Sequence, residues 1–593
     1  MLNWLRNNCV LITAILIGFV FTNIFLSKIQ LIFSGESTCI AAYDGLGYYS
    51  YLVQFFEHGN LYLTPEFFQQ FQFQTCGISE VNQLSLQPNG NYVNVYHMGM
   101  AYVLMPSYLI GKFFALIFHF PQNGFSLPYL ISYTLNALLF IWVGIIYSVK
   151  LLQYYFSKST TALVLLVLFF GTNYLATAIH SFDLPHIYLF AAVAMFFYFF
   201  TKYISQLEKN KYLYYSAITL GIISAIRPTH VLLGLIPAIY LWNKNPSVKT
   251  YWRRISVFLV VGFFANLPQL LYWKLVGGNW FLMNLHVEEI IVIDPHIFEF
   301  LLSYKKGWLL YSPLFILVIP GFYVWMKSQK QLAMVILFCI GILIWIFASW
   351  ECWWYAYSFG ARPMIDLYPL LAIPIGFSID YLRKQQRLIV GFSASILVLF
   401  IGLSLFQSYQ YSKGIIDQER MTKAQYWYVF GQSDRSKVNK IRLEIDRTNK
   451  EWMSDYRKKN EVGTLDSMML FSCANKVVEA DSNFLIVKFG LLDKLPTDEA
   501  SLEFEMIYHS EKTVNQAILN LEVFSRYNVY AWNVFPLQNG ASLDTFDTIK
   551  GSITLPHLHH KKDKLQIYIA NFDRPNKVQI QSFKLKAIYL KRI

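Results

Sequence analysis

The run CVLITAILIGFVFTNIFLSKIQLIF, Cys9–Phe33, decides the fold. A membrane crossing needs about 20 mostly apolar residues, and this run exceeds that after a short basic start at Arg6. A secretory signal also starts this way, but the run is longer than a signal core and lacks a small-residue cleavage site. It reads as a retained first span. The character persists along the chain: of 593 residues 55% are hydrophobic and only 14% charged, with 50 Phe and 41 Tyr. That is too apolar for a soluble protein of this size and indicates many spans.

A formal net charge of +13 invites a nucleic-acid reading. The basic residues are instead scattered between apolar runs, which fits the positive-inside rule and no nucleic-acid partner. With the N-terminus inside, the cytoplasmic gaps hold Lys150 and Lys158, then Lys202, Lys209 and Lys211, then Lys244, Lys249, Arg253 and Arg254. Lys327 and Lys330 follow, then Arg383, Lys384 and Arg387. The opposite gaps, 34–97, 179–186, about 276–308 and 350–362, carry acids, histidines and tryptophans. Counting Gly99–Phe118 as a crossing inverts every later loop, so it is expected to be a juxtamembrane or re-entrant helix. Tyr212–Trp242 is too long for one span and is broken by Arg227-Pro228, which predicts two half-helices meeting near the outer surface. These rules give about eleven crossings and an outside C-terminus.

There is no metal-type CxxC among the six cysteines. Cys39 and Cys76 share the first outer loop, which permits a disulfide there.

Composition changes after residue 411. A polar linker, 412–467, precedes strand-like runs at Phe484–Phe489, Ser501–Ile507, Ala517–Phe524, Lys564–Ala570 and Val578–Leu590. Turn-forming residues separate them, which predicts a β-sandwich over 468–593. The expected architecture is a polytopic α-helical membrane domain, 1–411, with an outer loop over 34–126 and an extracytoplasmic β domain.

The outer loops hold the residues suited to chemistry. Asp44 precedes Tyr48, Tyr51, Leu52, Phe55 and Phe56 at helical spacing, with Ser50, Gln54, Glu57 and His58 opposite. This predicts an amphipathic interfacial helix that Asp44 caps or precedes; a capped carboxylate is also a positioned one. His180, Asp183 and His186 recur at i, i+3 and i+6. They suit a cation, a diphosphate or a proton shuttle, or equally a helix start capped by Asp183. Arg227-Pro-Thr-His230, His286-Val-Glu288-Glu289, Tyr304-Lys305-Lys306-Gly-Trp308 and Trp350–Arg362, with Trp353 and Trp354, complete the set. Arginine and lysine bind phosphate well, and tryptophan and tyrosine suit sugar faces or headgroup depth. An aromatic belt and snorkelling lysines are the bland reading, but a belt does not need paired acids.

The order of these motifs resembles the GT-C integral membrane glycosyltransferases, including protein O-mannosyltransferases and bacterial aminoarabinose transferases. Asp44, Tyr96-His-Met-Gly99, Ser181-Phe-Asp183, Arg227-Pro228, Lys306-Gly-Trp-Leu-Leu-Tyr-Ser-Pro313 and Trp353-Trp-Tyr-Ala-Tyr-Ser-Phe-Gly-Ala-Arg362 carry the likeness, over roughly residues 1–410. The resemblance implies inverting transfer from a polyprenyl-phosphate sugar, outside a bacterial cytoplasmic membrane, to an acceptor glycan, lipid or protein. Asp44 would be the general base and Asp183 would position the acceptor or a divalent cation. Arg227, Lys305, Lys306 and Arg362 would hold the donor phosphate. Tyr48, His97, His180, His186, Glu288, Glu289, Trp353 and Trp354 would line the substrate. His97 stands alone where the aminoarabinose branch has an acidic-basic pair, which leaves metal dependence open. Gly45 replaces the second acid of the mannosyltransferase branch, so a protein acceptor is not implied. The C-terminal strands resemble jelly-roll carbohydrate-binding modules, with a structural cap as the plainer reading. A flippase for lipid-linked saccharides is the alternative class. It would place ionisable residues near the bilayer midplane and often show internal repeats, whereas here the acids cluster at one surface and no repeat is visible.

Overall fold

The computed structural model describes residues 2–35, 39, 41, 43–76, 83–244, 247–282, 290, 292–293, 295–350, 352–418, 421, 423–437, 464–478, 484–488, 500–510, 517–525, 528–537, 546–555, 564–571 and 578–591. The chain forms two compact units, Met1–Lys413 and Gly414–Ile593.

The first unit opens with α1 (Leu2–Phe33), α2 (Asp44–His58), α3 (Pro65–Cys76), the short strands β1 (Leu84–Leu86) and β2 (Tyr92–Asn94), and α4 (Gly99–Ile117). There follow α5 (Leu127–Tyr155), α6 (Lys158–Phe170), α7 (Tyr174–His180), α8 (His186–Ser205), α9 (Asn210–Ile226) and α10 (Leu235–Trp242). The last are α11 (Val248–Gly277), α12 (Ile297–Leu302), α13 (Trp308–Tyr311), α14 (Val318–Ser349), α15 (Tyr368–Leu382) and α16 (Arg387–Ser412).

Among the described residues, eight helices are long and apolar enough to cross a membrane, or nine if the bent pair α6–α7 is one span. This makes the chain a multi-pass membrane protein and corrects the expected eleven crossings. The lysines read as a loop, Lys327 and Lys330, flank a break at Gln329 (φ −138°), where two helices meet within the segment α14. The two halves read from Tyr212–Trp242 fall short of span length: α9 has 17 residues and Pro228–Trp242 is shorter still. Gly99–Ile117 does have the length and composition of a span. It packs along α2, where the Tyr108 hydroxyl and Lys112 Nζ both bind the Glu57 carboxylate.

Burial separates inner from outer helices. The apolar segments at α8 and Arg362–Leu382 are 72% and 78% buried, while α16 is 6% buried and presents its side chains outward. The inner helices matter for function because the chemistry-bearing turns lie just before their N-termini. Close backbone approach fixes the inner packing: a Cβ on Gly321 of α14 would lie 1.8 Å from the Pro374 carbonyl oxygen of α15.

α2 departs from the amphipathic reading. Gly45 through Gln54 is buried on every side, because the β1–β2 hairpin and the following loop supply polar partners. Asn94 Nδ2 donates to the Gly47 carbonyl (2.7 Å) and to Ser50 Oγ (3.1 Å), and Gln54 Nε2 donates to Asn60 Oδ1 (3.0 Å). A polar face that meets satisfied protein partners need not meet water.

The second unit contains α17 (Lys423–Val429) and eight strands: β3 (Thr464–Val478), β4 (Phe484–Lys488), β5 (Ala500–Ser510), β6 (Ala517–Ser525), β7 (Asn528–Pro536), β8 (Asp547–Leu555), β9 (Lys564–Asn571) and β10 (Val578–Lys591). They form two open antiparallel four-stranded sheets, ordered β3-β10-β5-β8 and β4-β9-β6-β7, over a shared apolar cluster that includes Phe504, Leu521, Ile567 and Phe583. No sheet closes or curls among the described residues, so the expected jelly-roll-like β-sandwich is corrected to two open sheets. Most of the expected linker, 438–463, lies outside the described residues.

Gly321→Ala should force α14 and α15 apart and cost about 1–3 kcal/mol of stability. A thermal melt of the purified protein in lipid nanodiscs should show a lowered midpoint; an unchanged midpoint would contradict the close contact.

Candidate functional site

Asp44 is the first residue of α2, not its N-cap. Tyr43 holds that position, and no side chain caps the helix. The carboxylate thus sits in the first turn, where the helix dipole favours negative charge. The Tyr96 hydroxyl donates to Asp44 Oδ1 at 2.6 Å, and Arg362 Nη2 lies 3.6 Å from Oδ2. Tyr48, one turn along, is buried and packs on the Tyr96 ring at 5.0 Å. Burial first, and the Asp44 charge second, push the Tyr48 phenol well above its ordinary pKa, so it stays a neutral hydrogen-bonding wall.

Gly45 brings a second acid close. A Cβ at this position would lie 2.3 Å from Asp183 Oδ2. The glycine therefore has a local reason: only a hydrogen leaves room for the Asp183 carboxylate beside the Asp44 helix. Asp183 stands in the turn between α7 and α8. Its neighbour Phe182 packs on Phe25 (5.5 Å) and lies under Lys28 Nζ (5.0 Å from the ring centroid), both from α1. Lys28 was not singled out from the sequence; an ionisable residue inside an apolar run was the available signal.

Behind this pair lies a buried hub that sequence reasoning missed. Asp366, with no solvent exposure, receives His186 Nδ1 at 2.8 Å on Oδ1. Arg227 Nη1 (3.3 Å) and His230 Nε2 (3.2 Å) approach its Oδ2; the histidine contact lacks the angle of a hydrogen bond. Asp366 shares the 3-10 turn Arg362–Leu367 with Arg362, so one turn sends a guanidinium to Asp44 and a carboxylate to Arg227. The signal was present in Arg362-Pro-Met-Ile-Asp366, an acid directly before an apolar helix.

Arg362 is nearly buried, and among the described residues its Nε has no hydrogen-bond partner. The contact to Asp44, at one nitrogen of the fork, suits a guanidinium that could also meet a phosphate. Lys306 is buried and its Nζ donates to the Ser358 carbonyl at 2.5 Å. Lys305 Nζ sits 3.3 Å from the Trp354 ring centroid and 5.6 Å from that of Trp353. His97 packs edge-on against Trp273 and His180 against Tyr411. Glu288 and Glu289 lie outside the described residues. Cys39 is disulfide-bonded; the side chain of Cys76 is outside those described. His186 is turned onto Asp366, and no group of three His, Cys, Asp or Glu among the described residues could hold a metal ion.

Backbone strain gathers here. Tyr43 (φ +44°), Tyr355 (φ +46°) and Tyr357 (φ +54°) adopt left-handed conformations that cost bulky residues about 1–3 kcal/mol each and persist only where surroundings enforce them. The enforcement is visible. Ser358 Oγ donates to the Tyr355 and Gly360 carbonyls, Lys306 holds the Ser358 carbonyl, and Asn173 Nδ2 holds that of Phe359. On the facing segment, Gly47 N and Gln83 Nε2 both donate to the Tyr43 carbonyl.

No protein-family profile matches the chain, and no curated protein sequence matches it. Solved structures resemble it in fold. The archaeal oligosaccharyltransferase AglB from Archaeoglobus fulgidus, in complex with an inhibitory peptide and a dolichol-phosphate, matches at 12% identity and a TM-score of 0.40. That match covers 77% of this chain and 59% of AglB. ArnT from Cupriavidus metallidurans, bound to undecaprenyl phosphate, matches at 14% identity and a TM-score of 0.40, over 68% of this chain and 65% of ArnT. The chain thus spans less than two thirds of either protein's length, and overlays this distant carry no conclusion about chemistry.

Proposed function

We propose that this protein is a membrane glycosyltransferase. It moves a sugar from a polyprenyl-phosphate donor to an acceptor glycan, lipid or protein at the outer face of the membrane, with inversion. The observation that supports this most is the setting of Asp44: oriented by Tyr96, paired loosely with Arg362, and placed beside the Asp183 carboxylate.

Asp44 accepts the proton of the acceptor hydroxyl as that oxygen attacks the anomeric carbon. The bond from that carbon to the phosphate oxygen breaks, and its electron pair leaves with the polyprenyl phosphate. Charge therefore grows on the phosphate, where Arg362 and Arg227 act as preorganised cations. Asp366 pre-sets Arg227 through the ion pair at 3.3 Å. Asp183 orients the acceptor from the far side of Gly45. Lys306 serves the site through the loop it pins, and Lys305 through the tryptophans it covers.

Reconstituted protein supplied with polyprenyl-phosphate sugars should transfer or hydrolyse the sugar, and Asp44→Asn should lower turnover by about a hundredfold or more. Full turnover in that variant would remove Asp44 as base; movement of lipid-linked sugar between leaflets without bond cleavage would favour a flippase. Gly45→Ala should displace Asp183 and cut turnover by about a hundredfold at little change in melting temperature. Asp366→Asn should leave Arg227 without its buried counter-charge and cost about 3–5 kcal/mol. Its lower thermal midpoint should come with a raised donor KM in the protein that stays folded.

A further inference from the structure

α5 and α8 run side by side in the same direction. The Tyr133 hydroxyl donates to the Asp183 carbonyl (3.4 Å), Phe140 packs on Tyr188 (ring centroids 5.1 Å apart), and Tyr147 packs on Tyr198 (5.6 Å). Near its C-terminal end each helix brings a lysine and tyrosine to the same place. Tyr147, Lys150 and Tyr154 recur at i, i+3 and i+7 on α5, and Tyr198 and Lys202 at i and i+4 on α8, so each set shares a face. Lys202 lies sixteen residues beyond His186, about 24 Å along the helix axis, which approaches the roughly 30 Å thickness of a hydrocarbon core. The cluster therefore stands at the end of these two helices opposite the Asp183 turn.

Two cations converge there on one ring. Lys150 Nζ lies 6.0 Å from the Tyr198 centroid and Lys202 Nζ 5.9 Å from it. A second tyrosine backs each ammonium: Tyr147 at 4.8 Å from Lys150, and Tyr154 at 5.6 Å from Lys202. Lys202 is half-buried, while Lys150 and Tyr154 are exposed. Among the described residues neither lysine is ion-paired to a carboxylate. Lysines that merely snorkel reach separately for water. Two ammoniums drawn to a single ring repel each other, and an anion between them turns that repulsion into attraction. The tyrosines add phenol hydroxyls, which donate to an oxyanion.

We propose that Lys150, Lys202 and Tyr198 form a binding site for the phosphate of an anionic phospholipid, in the leaflet opposite the Asp44 site. Each lysine near a membrane surface attracts acidic headgroups, and a tyrosine at that depth is apolar on its face and polar at its tip. A dissolved phosphate offers the same oxyanion. The position at the ends of two helices long and apolar enough to cross a membrane places the cluster among headgroups and favours the lipid. This site does not depend on the transfer reading.

The test uses the full chain in detergent, titrated with phosphatidylglycerol and with phosphatidylcholine and read by native mass spectrometry. The wild type should retain phosphatidylglycerol about tenfold more tightly than phosphatidylcholine. Lys150→Gln combined with Lys202→Gln should bring the two lipids to equal affinity, with phosphatidylcholine retention unchanged as the sign of an intact fold. Tyr198→Leu keeps both charges and should weaken phosphatidylglycerol about threefold, whereas Tyr198→Phe keeps the ring and most of the affinity. Lys327→Gln with Lys330→Gln removes the same charge at the α14 break and should leave the preference intact. An equal loss in that control pair, or a wild type without preference, overturns the site. Displacement of bound phosphatidylglycerol by inorganic phosphate at equal concentration overturns the lipid assignment in favour of a dissolved anion.

Discussion

A carboxylate removed from water costs several kcal/mol unless charge and hydrogen bonds replace its hydration. Asp366 meets that condition with two histidines and an arginine drawn from two places in the chain. His186 opens α8, Arg227 and His230 bracket the start of the short apolar segment Pro228–Trp242, and Asp366 itself precedes α15. The hub therefore fixes the ends of the inner helices relative to one another. Loops elsewhere in the membrane unit inherit their positions from this constraint, because Arg362 lies on the same turn as Asp366.

From that anchor the outer layer follows. Arg362 is aimed at Asp44, Tyr96 orients the same carboxylate, and Gly45 admits Asp183 within contact distance of the α2 backbone. The Asp44 and Asp183 carboxylates and the Arg362 guanidinium are thus gathered at the start of α2. Strain at Tyr43 and Tyr357 sits on either side of this arrangement. Rigid supports under both tyrosines make the site preformed, which is what a reaction dependent on placement requires.

Much of this could be read from residues alone. Asp44, Asp183, Arg227 and Arg362 stand out because acids and arginines beside apolar runs are costly without a task, and charge asymmetry assigns them to one group of loops. Asp366 escaped because an acid before a helix also reads as a cap, and only tertiary contact shows the arginine and two histidines around it. Lys306 was read as a donor-phosphate candidate or a snorkelling lysine; the Ser358 carbonyl that its ammonium meets is 52 residues away. The break at Gln329 was legible, because Lys327 and Lys330 flank the point where two helices meet. In the second unit the individual strands β4, β5, β6, β9 and β10 were legible by composition. Their order was not, since β10 pairs with β3 and β5 far back in the chain, and pairing over such separations has no local signature.

The central claim is that a lipid-linked phosphate leaves from the cations beside Asp44. Its most direct test is a structure of the nanodisc-embedded protein with polyprenyl phosphate bound. The phosphate should contact the Arg362 guanidinium, with Arg227 next to it and the Asp44 carboxylate facing the carbon side of the phosphate ester. Phosphate density seated away from both arginines, with Asp44 and Arg362 unchanged, would contradict the account.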